Sequence, residues 1–480
     1  MRATRNNRRR RPAMLCVGAL TLLLGACSAL VPPAPPSAQV LVPAQWSVTT
    51  TSAPATPLAR WWQRFDDPLL VTLVDEALAH NRAIAGARAA LAQARAQSDV
   101  QAAGLWPVLG ANVSAQRARA HQNSANSFVA GFDASWELDV FGGQRAAVRA
   151  ADASVVAAGA SLADVQVSVA AEVALDYLSL RCLQTRLAIA RAGLLSQQDT
   201  LQLTSWRVQA GQITVLELDQ ARTAVEQTRA QIPAFQSTLA QTESSLSVLT
   251  GQAPGVLRAR LAGTGDTCNA PTMTALVPAV PAITLRQRPD VRAAEARVAA
   301  AAALVTQADA ARLPDFSLGG ALGLNALSVS ALPNAASVAA SLLANVSAPL
   351  FDGGARRANV RVQQALLDQA GATYAATVLA ALKEVEDALV ALGSESARQA
   401  SLRVAASAAA NAAQLASQRY RSGLIDFQVV LDTQRVSLSA QDALAVSTSE
   451  RHADQVRLYK ALGGGWPGTT PPRTITGTPR

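Results

Sequence analysis

The sequence predicts a mainly helical fold, duplicated internally, with a membrane β-barrel whose strands come from more than one chain. Three observations predict it. Segments 106–210 and 313–422 follow the same order of features, each contains stretches of alternating polarity, and each ends in a long Ala-rich run without proline. These runs extend from Gly143 to Gly211 and from Gly354 to Gly423. A helix of that length would be roughly 100 Å long, several times an ordinary globular helix. The pattern indicates a spanning tube rather than an enzyme.

The strands are predicted from side chains that alternate between two faces. In the first copy Phe128, Phe132 and Trp136 share an apolar face, whereas Asp133 and Glu137 lie among small residues on the other. Such alternation is typical of transmembrane barrel strands, although an ordinary antiparallel sandwich with one wet face would also show it. The second copy repeats the pattern from Phe316 to Asn325 and from Asn345 to Leu350.

Four predicted strands are too few to close a barrel, for which about eight is the smallest workable number. An open sheet edge in lipid would leave backbone N–H and C=O groups unsatisfied, at several kcal/mol each. Closure therefore requires several copies of the chain. Two copies would supply eight strands, and three would supply twelve.

The long helical runs carry one apolar stripe, and alanine covers much of their remaining surface. Small side chains allow helices to pack closely into a wall, but the same periodicity fits a plain coiled coil. Pro233 lies inside the run after Gly211, so we expect it to kink or interrupt that helix. The stripe of the first run consists of Leu162, Val165, Val169, Val173, Tyr177, Leu180, Leu183 and Leu187.

The start of the chain has the order of a secretory signal peptide. Six arginines among the first eleven residues precede an apolar stretch from Met14 to Ala26, which is too short to span a bilayer. Leu24-Gly25-Ala26-Cys27 then resembles a bacterial lipobox, whose cysteine becomes the lipidated first residue of the mature protein. The alternative is an ordinary signal cleaved nearby. The absence of aspartate at Ser28 favours outer-membrane sorting in lipoproteins of this kind.

Removal of the signal changes how the charge is interpreted. The formal net charge falls from +9 to +3 without the six arginines, and the remaining charges are interspersed. No basic block or aromatic-interleaved stripe remains, so no nucleic-acid partner is expected. Of the four cysteines, Cys182 and Cys268 are left for a disulfide or, as we expect, two free thiols.

The expected domain organisation has five parts. Each repeat begins with a helix, continues with strands at about 108–140 or 314–350, and then has long helices at about 143–250 or 354–462. A connector rich in proline and glycine joins the repeats. The parts are a signal peptide at 1–26, an extended lipid-anchored segment at 27–60, a first repeat at 61–283, a second repeat at 284–462 and a disordered tail at 463–480.

Four motifs, in order along the chain, resemble those of the TolC superfamily of outer-membrane efflux proteins, in its lipoprotein branch (OprM- or NodT-like). They cover nearly all of the mature chain. They are Trp61-Trp62 followed by Phe65, Asp67, Pro68 and Leu69; Arg288-Pro289-Asp290-Val291 followed by Ala294 and Glu295; Pro349 to Gly354; and Arg419 to Arg435.

The resemblance implies a homotrimer with a twelve-stranded β-barrel in the outer membrane, continuous with a long periplasmic α-helical barrel. Such proteins are passive exit ducts of tripartite efflux systems, including those of multidrug resistance. They work with a periplasmic adaptor (membrane-fusion) protein and an inner-membrane pump, commonly of the RND type. The only attached group implied is the lipid on Cys27, an acyl chain such as palmitate. No metal or other cofactor is expected.

The resemblance also implies particular site residues. Gly211 and Gly423 are expected to adopt positive φ at two periplasmic hairpin tips. Asp432 would form a ring of three carboxylates at a lumenal gate, one helical turn from Gln428, where relatives often carry an apolar residue. Asp219 is expected to be its counterpart in the first repeat; a solvated helix face is the alternative for both acids. Adaptor contacts are expected at Val208, Gly211, Ile213, Tyr420, Gly423 and Leu424.

Three other functions stay open at this point. The same duct could serve type I protein or peptide secretion, or metal export, and gene neighbours would separate these. A lipid-anchored structural coiled coil without a pore is a further alternative. An enzyme is not expected, because the three histidines are scattered and no nucleophile, phosphate loop or compact carboxylate pair is present.

Overall fold

The computed structural model describes residues 59–120, 123–262 and 287–464, together with Pro43, Trp46 and Leu285; side chains are described outside 120 and 123–125. The predicted signal peptide, Cys27, most of the extended segment, Cys268, most of the connector and the tail from residue 465 lie outside the described residues.

Within the described chain, each repeat has a helix, two strands and a pair of long helices in the same order. In the first repeat a 3₁₀ turn at Trp61–Phe65 precedes the helices α1 and α2. The elements are α1 (Pro68–His80), α2 (Arg82–Ala103), β1 (Val108–Ala120), β2 (Asn123–Leu138), α3 (Gly143–Gln209), α4 (Val215–Leu249), a short α5 (Arg258–Leu261), α6 (Pro289–Ala310), β3 (Asp315–Ala326), β4 (Val338–Ser347), α7 (Ala355–Arg421) and α8 (Phe427–Ala461).

The duplication is nearly exact in length after the strands. Helices α7 and α8 begin and end 212 residues after α3 and α4, whereas α6 begins and ends 207 residues after α2. The second copy therefore has five additional residues between its strands, where two short 3₁₀ turns lie at Val329–Ala331 and Ala335–Ser337. An offset that is constant over both long helices identifies equivalent positions in the two copies.

Pro233 does not interrupt α4, contrary to the prediction. The helix runs from Val215 to Leu249 with Pro233 inside it. The side chain is exposed. Proline removes one hydrogen bond to the carbonyl of Arg229, but water can hydrate a carbonyl at an exposed position, which lowers the penalty for keeping the helix.

The described chain forms two compact units. One contains 107–147 and 301–371, and the other contains the remaining described residues. The core of the second unit includes Trp61, stacked on Tyr459 at 5.3 Å between ring centroids, and Tyr177, whose hydroxyl donates to Asp67 Oδ2 at 2.5 Å. Burial, followed by this hydrogen bond, raises the pKa of Tyr177. Asp67 also accepts from the backbone N–H of Leu69, so one carboxylate caps α1 and holds α3.

The first unit is built on one antiparallel sheet with the order β1-β2-β3-β4. Its register aligns an apolar face across all four strands, because Val113 lies opposite Ala130, Ala130 opposite Leu324, and Leu324 opposite Val338. Between Leu109 and Ala115 on β1, and along the described β2, β3 and β4, this face has no ionisable side chain.

The opposite face of the sheet is small and polar. It includes Asn112, Asp133, Glu137, Ser317 and Asn345. The sheet also ends at β1 and β4 without a further partner strand in the described chain. An apolar face, a polar face and two unpaired edges are the features of a barrel segment rather than of a closed soluble sheet.

Candidate functional site: the hairpin turns and the adjoining helix ends

Two identical turns join the long helices of each repeat. Gly211 and Gly423 have φ values of 71° and 74°, the positive values predicted from the sequence. In the first turn, Gly211 N–H donates to Val208 O and Gln212 N–H donates to Arg207 O, both at 2.9 Å. The second turn repeats both bonds at 2.9 Å, from Gly423 to Tyr420 and from Leu424 to Arg419. This is a Schellman motif, which favours glycine because an L side chain strains the left-handed conformation.

The helices that leave the two turns begin differently. Thr214 and Glu217 form a capping box at the start of α4, in which Glu217 accepts from the Thr214 backbone N–H at 3.0 Å. The hydrogen bond from the Thr214 side chain holds the pKa of Glu217 below its usual range. Helix α8 has Asp426 at its N-cap, with no hydrogen bond from that side chain to the helix. The first turn is therefore closed more completely than the second.

A small cluster lies beneath the two turns and joins them. Arg207 at the end of α3 donates from Nη2 to Tyr420 O at 2.6 Å, and its guanidinium lies 4.2 Å from the centre of the Tyr420 ring. The Tyr420 ring packs at 6.0 Å from that of Phe427, beside the fully buried Val430. Arg207 thus satisfies a terminal carbonyl of α7 and covers an aromatic ring with a single side chain.

Tyr420 is a core residue, so its predicted role as a surface contact for an adaptor is wrong. Only 2% of the residue is exposed, and its hydroxyl is buried without a hydrogen-bond partner among the described residues. The ring supplies apolar area to the cluster with Phe427 and to the Arg207 guanidinium. This packing accounts for its position inside the turn despite the charged sequence around it.

The other predicted contact residues lie at or near the surface of the turns. Gly211 and Gly423 are exposed, Val208 and Ile213 are half-buried, and Leu424 is 74% exposed. Three further apolar side chains beside the first turn were missed, although apolar residues next to a turn could have indicated them. They are Trp206, Val215 and Leu216. The apolar surface of the first turn is therefore larger than the sequence analysis predicted.

The predicted gate residues form a connected polar group on α8. Gln428 Nε2 lies 3.2 Å from each carboxylate oxygen of Asp432, and Arg435 Nη1 lies 3.7 Å from Asp432 Oδ1. All three side chains are exposed. Residues at i and i+4 share one helix face, so the amide of Gln428 lies beside the carboxylate, as their spacing predicted.

Asp219 is not the positional counterpart of Asp432. The offset of 212 residues aligns Asp432 with Gln220, and Asp219 with Leu431. One residue turns a side chain by about 100° around a helix, so the two aspartates occupy different faces of equivalent helices. Asp219 instead lies 3.8 Å from Arg222 in an exposed pair.

A second set of contacts holds α8 against α3. Arg186 binds both carboxylate oxygens of Asp442, at 2.7 and 3.1 Å, and lies 4.7 Å from the ring centre of Phe235 on α4. The hydrogen bond to Asp442 raises the pKa of Arg186. Closer to the turns, Gln434 donates to Thr200 Oγ1 at 3.0 Å. These contacts fix the helix that carries Asp432.

Comparison with known proteins places this geometry among membrane exporters. The family model "Outer membrane efflux protein" matches residues 73–252 and 280–464. The pyoverdine export outer membrane protein OpmQ of Pseudomonas putida is 34% identical over 476 residues, which cover 96% of this chain and 99% of that protein. The toluene efflux pump outer membrane protein TtgF of Pseudomonas putida is 30% identical, over 93% of this chain and 96% of that protein.

A solved structure agrees with these matches. The outer-membrane channel OprN superposes with a TM-score of 0.82 at 36% identity, over 88% of this chain and 98% of that one. The agreement therefore extends over nearly all of the described fold.

Proposed function

Because this chain belongs to the outer membrane efflux protein family, we propose that it is the outer-membrane exit duct of a tripartite efflux system. The predicted TolC-superfamily resemblance and the fold class, a duplicated, mainly helical chain with four strands, are confirmed. The duct conducts passively. An inner-membrane pump of the RND type supplies the cargo through a periplasmic adaptor.

The observation that carries the proposal is the two-faced sheet with unpaired edges at β1 and β4. In a bilayer such edges need partners, because no water is present to satisfy the backbone groups. Three copies joined edge to edge give twelve strands with the apolar face toward lipid and the polar face toward a lumen. A coiled coil without a pore would have no use for this sheet.

The turns at Gly211 and Gly423 face the periplasm in this arrangement, at the far end of the long helices from the sheet. The exposed apolar side chains there, chiefly Leu424 and Leu216, support docking of the adaptor. Val208 and Ile213 extend that surface. Asp432, together with Gln428, contributes to a ring of three carboxylates at the gate. Asp219 faces the same lumen from α4, at a different level.

The N-terminus adds an anchor to the barrel. Signal cleavage before Cys27 and acylation of its thiol would attach the chain to the outer membrane by lipid as well as by strands. The intact mass of the mature protein checks this, since the wild type would begin at Cys27 and carry acyl chains that Cys27→Ser lacks. We propose no other bound group and no enzymatic activity.

The cargo is proposed to be small molecules. The relatives named for pyoverdine and toluene export support this class over secreted proteins or metal ions. Deletion of the gene would raise intracellular accumulation across a panel of dyes, antibiotics and solvents, and the wild-type gene would reverse it. Unchanged accumulation across the whole panel would contradict the proposal.

A further inference from the structure

Two arginines interrupt the apolar face at one end of β1. Arg117 and Arg119 continue the alternation of Leu109, Ala111, Val113 and Ala115, so they lie on the face turned toward lipid. Both are exposed. They are the cationic side chains that this face carries in the described strands. An arginine facing lipid is tolerated only near an interface, because the penalty at the bilayer midplane is about 2–4 kcal/mol.

The register fixes the level of these arginines in the membrane. Ala115 lies opposite Phe128, the last aromatic residue of β2 at this end, while Arg117 lies opposite Asn126 and Arg119 opposite Ser124. The long helices join the sheet at its other end, after Leu138 and Ser347. Because the helices extend into the periplasm, the arginines lie at the outer leaflet, just beyond the apolar band.

Neither arginine has an acidic partner among the described residues. The described salt bridges do not include them. Asp133 and Glu137 lie on the opposite face of the sheet, and Asp133 pairs with Gly110, seven residues before Arg117.

A neighbouring copy would not neutralise the arginines either. Barrel closure brings β4 of the next copy beside β1, and the chain from Leu327 to Ser347 has no ionisable side chain. Three copies therefore present six unneutralised guanidinium groups around the outer rim.

We propose that Arg117 and Arg119 bind the phosphate groups of the phosphorylated glycolipid in the outer leaflet, of which lipid A is the core. A guanidinium donates two parallel hydrogen bonds to a phosphate, and anionic head groups attract basic residues at a membrane surface. Their position on the lipid-facing side favours a membrane lipid over a soluble anion. The inference rests on the proposed outer-membrane barrel and adds a lipid partner to it.

The test measures lipid A binding to the full-length trimer by native mass spectrometry after reconstitution in nanodiscs. We expect Arg117→Gln or Arg119→Gln to weaken binding about fivefold, and the double variant roughly thirtyfold, if each arginine contributes as basic residues usually do at anionic membranes. Dephosphorylated lipid A should bind wild type and double variant alike. Should the double variant fail to assemble, the single variants provide the comparison.

A matched control changes two exposed arginines elsewhere. Arg82→Gln with Arg95→Gln alters the same charge on α2 and should leave lipid A binding unchanged. Wild-type lipid A affinity in a trimeric, conducting double variant would overturn the inference and leave the duct standing. A wild-type protein that forms no conducting barrel would overturn the proposed function and this inference with it.

Discussion

Arg207 is the residue that joins the two hairpin turns of this chain. It contacts Tyr420 across 213 residues of sequence, so no local periodicity could have revealed the pair. The sequence analysis placed Tyr420 at the surface because its neighbours Arg419 and Arg421 are charged. The structure shows why this failed: a large ring beside a turn packs inward when an arginine from another helix covers it.

Removal of this side chain should loosen the turns. Arg207→Ala would lose a hydrogen bond and a cation–π contact, together about 2 kcal/mol. We expect a more conductive closed state in planar-bilayer recordings, with little change in thermal stability. Arg419→Ala is the control, because Arg419 is the equivalent position 212 residues later and is exposed. Equal conductance in both variants would argue against a role of Arg207 in holding the turns.

His452 should make stability depend on pH. It is buried against Phe65, and burial, followed by the charge of Arg451, lowers its pKa to about 4. The unfolded chain binds this proton near pH 6.5, whereas the folded chain does not until about pH 4. The stability that the neutral ring contributes is therefore complete above pH 6.5 and decreases as the pH falls toward 4, by about 3 kcal/mol.

The measurement is the melting temperature of the trimer between pH 7 and pH 4. His452→Gln removes the titrating group and should flatten the profile over this window. A profile as steep in the variant as in the wild type would assign the pH dependence to other groups.

Among the elements, the long helices were predicted more completely than the positions within them. Helices α3 and α7 begin beside the Phe-Gly-Gly stops and end beside glycines, signals that local sequence carries directly. The equivalence of Asp219 and Asp432 was wrong because the two copies differ by five residues between their strands, which the sequence pattern did not reveal. Positions within a helix require an exact offset, since one residue rotates the side chain by about 100°.

The sheet contains a close approach that only glycine permits. Gly131 on β2 lies opposite Gly323 on β3, and a Cβ at Gly131 would lie 2.7 Å from Gly323 Cα. Gly131→Ala should destabilise the strand pair by about 1–3 kcal/mol, because backbone must shift. We expect less heat-modifiable trimer in the outer membrane. Gly319→Ala is the control on the same face of β3, since its nearest atom is 3.9 Å away. Normal assembly of Gly131→Ala would contradict this packing.

At the scale of the whole molecule, function depends on what one chain lacks. The described sheet has two open edges, and Asp432 is a single exposed carboxylate. Assembly of three copies closes the edges and converts the carboxylate into a ring. The sequence alone could predict that closure needs several copies, since four strands are too few. It left two or three copies open until the family resemblance was considered.

A ring of carboxylates should select for cations. Asp432→Asn should lower cation-over-anion selectivity and raise conductance of the closed state, because it removes three negative charges and weakens the contacts to Gln428 and Arg435. Reversal potentials in a salt gradient measure this. Asp219→Asn, at a position on another helix face, should change selectivity less. A larger effect at Asp219 would move the gate assignment from α8 to α4.

The central claim is that three copies of this chain form one continuous duct through the outer membrane and the adjoining periplasm. Single-particle electron microscopy of the full-length protein extracted from membranes tests it most directly. We predict a threefold particle with a twelve-stranded barrel, continuous with a hollow helical shaft that narrows at Asp432. A monomer with an open sheet, or a solid helical rod without a lumen, would contradict it.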